Sequence, residues 1–385
     1  MKSALKRYAP WFFAGIGALL VIELGALAYF NNFFLTGKTA YTEKTIKVSA
    51  GPAYKAVAMD SGAQGAVCSF DGQYLAYLSG GSVKIADLIG GSTVTVANPS
   101  GLQADFIAWD GDTDMLAVAE KGATQDTLFA VIFVYDVQQQ TFTLLPAAMS
   151  EMSTITQNVY PVFGARYTDS STEVSSIAIS AFTETTWFKL TDGGGRSTLY
   201  TLLALFPEDM NNVVKTKNIG AVVSLQNQNM LLYENKDDGK VYIYNGASPQ
   251  TKPSPVTVAV NGAQTLRLLG VNMDDTVYLT AGGSGAVDTV YEGNLETGKW
   301  SAVPLGGTID PANIKIAFEG GVCIDNPAAC TVTQVPQPAQ NASSHASSAS
   351  PVKPKSIKYK GTLIGLCDGG FVCADNGVAM HYSFD

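Results

Sequence analysis

The most explicit chemistry in this 385-residue chain is a set of three carboxylates at alternating positions, Asp110, Asp112 and Asp114, with Gly111 and Thr113 between them. Calcium loops begin this way, because a hard cation takes several oxygen ligands at close range. The loop pattern then fails, since Met115 stands where glycine is needed and Lys121 where a bidentate acid should be. A solvated turn is therefore the first reading, with calcium at Asp110, Asp112 and Asp114 as its alternative. Cys367 and Cys373 flank the turn Asp368–Phe371, and Cys323 and Cys330 flank a loop containing Pro327. Two short-loop disulfides, Cys323–Cys330 and Cys367–Cys373, are the predicted pairing in an oxidising compartment. That leaves Cys68 as a buried thiol. The spacings lack the tight Cys-x2-Cys form of a zinc site.

The chain has only two histidines, His345 and His381, so a His-based triad or multi-His metal site has little to draw on. Gly193–Arg196 and Gly282–Gly285 are glycine-rich but lack the Gly-Lys-Ser/Thr ending of a phosphate loop. Glu208-Asp209 and Asp237-Asp238 lie among turn residues, so no glycosidase-type carboxylate pair stands out. No catalytic residue and no cofactor-binding residue is predicted. Composition agrees: 24 basic against 33 acidic residues give a net charge of −9, which argues against nucleic acid because phosphate binding needs a Lys/Arg footprint. With 46% hydrophobic residues the chain can bury a large core.

Residues 11–35 form an apolar run with one charge, Glu23, preceded by the basic tail 1–10 with Lys2, Lys6 and Arg7. The run is long enough to span a bilayer, and the basic flank predicts a single-pass membrane anchor with everything after Lys38 outside the cytoplasm. Residues 1–38 hold Lys2, Lys6, Arg7 and Lys38 against Glu23. The exterior part then carries 20 basic and 32 acidic residues, a net of −12. A signal peptide cleaved near Ala28 is the alternative and leads to secretion. The stretch Gly17–Glu23 is similar to the start of a type IV pilin. The resemblance implies a role for Glu23 in membrane assembly, although the glutamate here comes sixth after the glycine rather than fifth.

The exported part is repetitive. Cys68–Tyr77 reads as strand, Asp-Gly turn and alternating strand, a hairpin pattern. Ala108–Val118 and Val271–Leu279 repeat it, with weaker copies at Tyr167–Ile179, Leu225–Tyr233, Phe318–Ile324 and Leu366–Cys373. Each hairpin is followed by an apolar strand such as Val83–Asp87, Ile132–Asp136 or Val241–Asn245, and then by another β-prone stretch. Four strands per repeat is the arithmetic of a propeller. Ser69-Phe-Asp-Gly-Gln-Tyr-Leu-Ala-Tyr77 resembles the blade motif of TolB-like and WD-type β-propellers, with Phe70 in place of the usual proline. The resemblance implies an all-β fold over residues 44–385, a seven-bladed β-propeller behind one N-terminal transmembrane helix. Six blades is the alternative count, because the third repeat lacks a clear turn. It implies no reaction.

A ring needs closure, since an open edge strand invites association. The last repeat supplies three strands, Thr362–Leu366, Phe371–Ala374 and Val378–Ser383, and Thr45–Ser49 is the predicted fourth. A Ser/Ala/Pro-rich insert at 336–356 separates the last two repeats and has linker composition. It contains the glycosylation sequon Asn341-Ala-Ser343. The function these features point to is a membrane-anchored, extracytoplasmic binding or scaffold module for a protein or glycan partner. An exported carbohydrate-active hydrolase or lyase is the alternative, and a pilin-like or secretion-system subunit the third.

Overall fold

The computed structural model describes residues 53–384 apart from 97–101, 124–127, 145–164, 168, 181–182, 184, 203–206, 211–213, 249–250, 259–264, 283–284 and 337–354. The predicted anchor, Glu23, His345 and Asn341 lie outside the described residues. No helix among the described residues is long and apolar enough to cross a membrane.

Alternation of apolar and polar residues, punctuated by glycine turns, makes short antiparallel strands. A two-residue strand β1 (Val57–Ala58) comes first. Blade 1 follows with β2 (Gln64–Cys68), β3 (Tyr74–Ser79), β4 (Ser82–Asp87) and β5 (Ser92–Val96). Blade 2 comprises β6 (Gln103–Trp109), β7 (Met115–Ala123), β8 (Leu128–Asp136), β9 (Thr141–Leu144) and β10 (Ala165–Tyr167). Blade 3 is β11 (Glu173–Ser180), β12 (Thr185–Thr191), β13 (Ser197–Leu202) and β14 (Pro207–Asp209). Blade 4 is β15 (Ile219–Ser224), β16 (Met230–Asn235), β17 (Lys240–Asn245) and β18 (Ser254–Pro255). Blade 5 is β19 (Leu266–Val271), β20 (Val277–Ala281), β21 (Val287–Asn294) and β22 (Lys299–Ile309). Blade 6 is β23 (Ile314–Ile316), β24 (Val322–Asn326), β25 (Thr331–Gln334) and β26 (Lys355–Lys358). The last sheet has β27 (Thr362–Cys367), β28 (Gly370–Asp375) and β29 (Val378–Ser383), with β1 on its outer edge. The chain is a seven-bladed β-propeller, and six blades is excluded.

Closure is by strand exchange, but through different residues from those predicted. Val57 pairs with Ala379 and Ala58 with Val378, so β1 takes the place assigned to Thr45–Ser49, which lies outside the described residues. Val57 is buried among Leu75, Val372 and Ala379, which gives the short strand an apolar anchor. Two further expectations change. The third hairpin turn joins β11 to β12 after Ser180, while Tyr167, predicted to lead that repeat, lies on the outer edge of blade 2. There β9 and β10 share one side of β8, opposite Phe133–Asp136 and Leu128–Ala130 respectively. The insert also falls within a blade and not between blades, because Lys355–Lys358 pairs with Thr331–Gln334 and continues blade 6 beyond it.

Apolar packing is divided among the seams between blades. Cluster by cluster, Ile85 with Ile107, Ile132 with Ile179, Leu199 with Leu231, Leu232 with Leu279, Val303 with Val322, Cys323 with Phe371, and Leu75 with Val372 join successive blades around the ring. Six of the innermost strand pairs carry a register shift, at Gln64/Val67, Ala104/Phe106, Val174/Ser176, Ile219/Val222, Leu268/Gly270 and Leu363/Gly365. A bulge bends its strand and increases local twist, which lets these six inner strands meet both neighbouring blades.

Candidate functional site

Among the described residues every inner strand has one edge without a strand partner. Backbone donors and acceptors on such an edge need water or a ligand. These edges surround an axial cavity of about 430 Å3, lined by residues that include Trp109, Ile177, Ser224, Gln226, Leu269, Lys315 and Leu366. Lys315 is the one charged residue in that described lining, and its Nζ donates to the Ala312 carbonyl at 2.8 Å.

The two mouths of the cavity differ. One face carries the turns between first and second strands, which we call the turn face. In blade 1 the turn is built by its own side chains: Asp71 Oδ1 accepts from Ser69 Oγ at 2.6 Å and from the Gln73 amide at 2.9 Å, while Ser69 Oγ accepts from the Tyr74 amide. Gly72 has φ +69, and a Cβ there would meet Cys367 Sγ at 2.7 Å, so the Asp-Gly pair is required by both conformation and space. Corresponding turns place Asp110, Asp112 and Asp114, Asp274 and Asp275, Glu319, and Asp368 around the same face. Glu319 and Asp368 share a hydrogen bond, and the charge of Asp368 raises the carboxyl of Glu319 above the usual range. Phe70 and Phe318 pack beside them with ring centroids 5.2 Å apart. The Asp368 amide donates to the Phe70 carbonyl at 2.5 Å.

On the opposite face acids meet cations. Lys84 pairs with Asp60 at 2.5 Å, and Lys121 with Asp105 at 2.8 Å. Asp237 accepts from Thr216 and Asn218, and Asp238 from Tyr242 and the Lys240 amide, so this acid pair is consumed by its turn. The Gly193–Arg196 loop is held likewise, with Asp192 Oδ1 accepting from the amides of Gly194 and Arg196.

The predicted calcium residues sit in a hairpin turn. The Asp110 carbonyl accepts from Thr113, and Asp114 Oδ2 accepts from Gln138 at 2.9 Å. No group of three or more His, Cys, Asp or Glu side chains gathers to hold a metal among the described residues. The predicted disulfides are not found in the structure, where all five cysteines stand free. Cys367 lies opposite Gly370 and Cys373 opposite Leu363, so the two are offset along adjacent strands, and Cys323 pairs with Gln334 rather than with Cys330. Of the tryptophans, Trp187 is fully buried, and Trp109 bridges blades by donating to the Val67 carbonyl at 3.1 Å.

Two groups were not anticipated from the sequence. Lys315 reaches the axis only because blade 6 turns its short inner strand there. Glu120 is fully buried on β7, and burial pushes its carboxyl up to about 7. Both positions fall just outside the repeat units read from the sequence, Ala108–Val118 and Phe318–Ile324, and nothing local marks them.

No family model and no curated protein matches the chain. Solved structures do resemble it. A chain of a mitotic checkpoint complex aligns at 13% identity and a TM-score of 0.44, over 87% of this chain and 95% of that one. A prolyl endopeptidase aligns at 12% identity and 0.46, over 71% of this chain and 40% of that chain. The β-propeller domain of the Trilobed protease from Pyrococcus furiosus, described as having an open velcro topology, aligns at 13% and 0.39, over 71% and 74%. At these identities the chain is similar to them in fold alone.

Proposed function

We propose that this protein is a membrane-anchored, extracytoplasmic propeller that binds a cationic protein segment or glycan on its turn face. The observation that carries the reading is the one-sided distribution of ion pairs: Asp112, Asp114, Asp274, Glu319 and Asp368 lie on turns around one mouth, whereas both ion pairs found among the described residues lie on the other face. A single-sign field around a cleft steers oppositely charged partners and raises their rate of encounter. The anchor rests on the apolar run 11–35 and its basic flank.

The test is twofold. Crosslinking and pull-down of the full chain from its own membrane should recover a stable partner. Calorimetric titration with a Lys/Arg-rich peptide should show salt-sensitive binding that Asp112→Asn/Asp274→Asn/Glu319→Gln weakens by about tenfold or more. An unchanged affinity in that variant overturns the assignment to this face.

A carbohydrate-active enzyme remains the second reading, and Glu319 with Asp368 is the carboxyl pair nearest to suiting it. Glycosidase carboxyls stand about 5 Å or more apart to admit sugar or water. Activity profiling on glycans distinguishes the two readings. The third reading, a pilin-like subunit, predicts that Glu23→Leu disturbs assembly or localisation.

A further inference from the structure

The seam where the ring closes brings together a group of reactive side chains from opposite ends of the chain. Cys68 ends the inner strand of blade 1, and Cys367 ends the inner strand of blade 7. Both belong to one apolar cluster with Leu75, Leu88 and Val372. Cys68 Sγ donates to the Leu366 carbonyl at 3.4 Å, next to Cys367 in the chain, and a Cβ on Gly365 would stand 2.9 Å from that sulfur. Only glycine there lets Cys68 approach the blade 7 backbone so closely. Cys367 Sγ in turn lies 3.4 Å from Nε2 of His381, whose ring stacks on Tyr54 at 3.6 Å with planes 11° apart. Tyr54 is fixed by donating to the Asp71 carbonyl at 2.9 Å.

We propose that Cys68 and Cys367 are a cross-linking site, at which a disulfide forms across the closing seam and joins the first blade covalently to the last. The oxidant is a small-molecule disulfide of the glutathione type. His381 Nε2 takes the Cys367 thiol proton as that sulfur attacks the oxidant, giving a mixed disulfide and a small thiolate, which recovers the proton from His381. The Cys68 sulfur then attacks Cys367 in the mixed disulfide. The second small thiolate leaves and takes the Cys68 proton. Two protein thiols are oxidised and one small disulfide is reduced to two thiols.

Burial keeps both sulfurs protonated, pushing Cys68 up to about 12, and lowers His381 so that its imidazole is neutral, so the closed seam is unreactive and exchange waits on its opening. The oxidant's route is through the closing segment. Tyr54 covers His381, and β1 pairs through only two residues, so a local opening of this segment, short of unfolding the ring, uncovers the site.

The test is oxidation of the full chain with glutathione disulfide, followed by thiol blocking and non-reducing peptide mapping. The expected product is a peptide pair containing Cys68 and Cys367. The oxidised protein should melt about 5–10 °C above the reduced one, because the bond closes a very long loop. His381→Phe keeps the ring stacking and should slow cross-linking about tenfold or more without changing the pair formed. Cys373→Ser should leave the product unaltered. Recovery of Cys68 and Cys367 as separately blocked thiols, or of Cys367 joined to Cys373, overturns the proposal. Mapping of the parent chain decides this even where a variant fails to fold.

Discussion

The seam between blades 4 and 5 and the seam between blades 7 and 1 do the same work with different chemistry. Between blades 4 and 5, buried carboxylates grip backbone amides. Glu234 accepts from the Leu268 amide of blade 5 at 2.6 Å and from the Ala221 amide in the bulge of its own blade at 3.0 Å. Asp275 reaches back from blade 5 to the amides of Gln226 at 2.6 Å and Asn227. At the closing seam no carboxylate plays this part among the described residues. Packing of Cys68, Leu75, Cys367 and Val372, the stacked Tyr54–His381 pair and a two-residue strand hold the ends together. Seams between consecutive blades are assembled as the chain folds locally, whereas the closing seam joins residues some 300 positions apart. Its loop-closure entropy is met by apolar burial that forms only when the ring is complete.

The largest expected effect comes from deleting residues 53–58. Loss of Val57 burial and of the hydrogen bonds from β1 should cost about 5 kcal/mol, read as a lower urea midpoint. An unchanged midpoint would mean that the ring does not depend on its exchanged strand. Glu234→Ala should cost about 3 kcal/mol by stranding the amides of Leu268 and Ala221, while Glu234→Gln should cost less because one acceptor oxygen remains. Equal losses from these two substitutions would show that the seam depends on the volume of the side chain and not on its acceptors.

Glu120, on β7 at neither seam, supplies a pH test. Its folded carboxyl titrates at about 7 against an ordinary value of 4.5, so between these values the native state holds a proton that the unfolded chain has lost. Stability should therefore fall as pH rises from about 4.5 to about 7, by up to about 3 kcal/mol, and Glu120→Gln should flatten that slope. Burial also raises Asp275, so the 4–5 seam should weaken in the same direction as pH rises above 3.8. The smallest effect is local: Asp368→Asn should return the Glu319 titration toward 4.5 in a carboxyl-resolved NMR experiment, with little change in stability.

Six of the seven hairpin centres were legible in the chain, because turn chemistry is local. Asp71-Gly72, Asp110-Gly111, Asp274-Asp275 and Asp368-Gly369 must turn wherever they stand, and the alternating strands around them follow. The third was not legible, since the β11–β12 connection has neither an Asp-Gly pair nor an Asn-Gly pair. The closing strand was misplaced for a related reason. Thr45–Ser49 alternates as well as any strand, while Val57–Ala58 is too short to leave a pattern, and pairing along Val378–Ala379 is what selects it.

Sequence by itself determined the all-β repeat, the acidity, the turn residues and the candidate anchor, because each depends on neighbours within a few positions. Tertiary structure decided which cysteines could meet. Cys367 and Cys373 are close in sequence and offset in register, whereas Cys68 and Cys367 are remote in sequence and share a seam. It also placed Lys315 on the axis, Glu120 in the core and the turn acids on a common face. The physical reason is that strand periodicity fixes which way a side chain points within its own sheet, while only closure of the ring fixes what it points at.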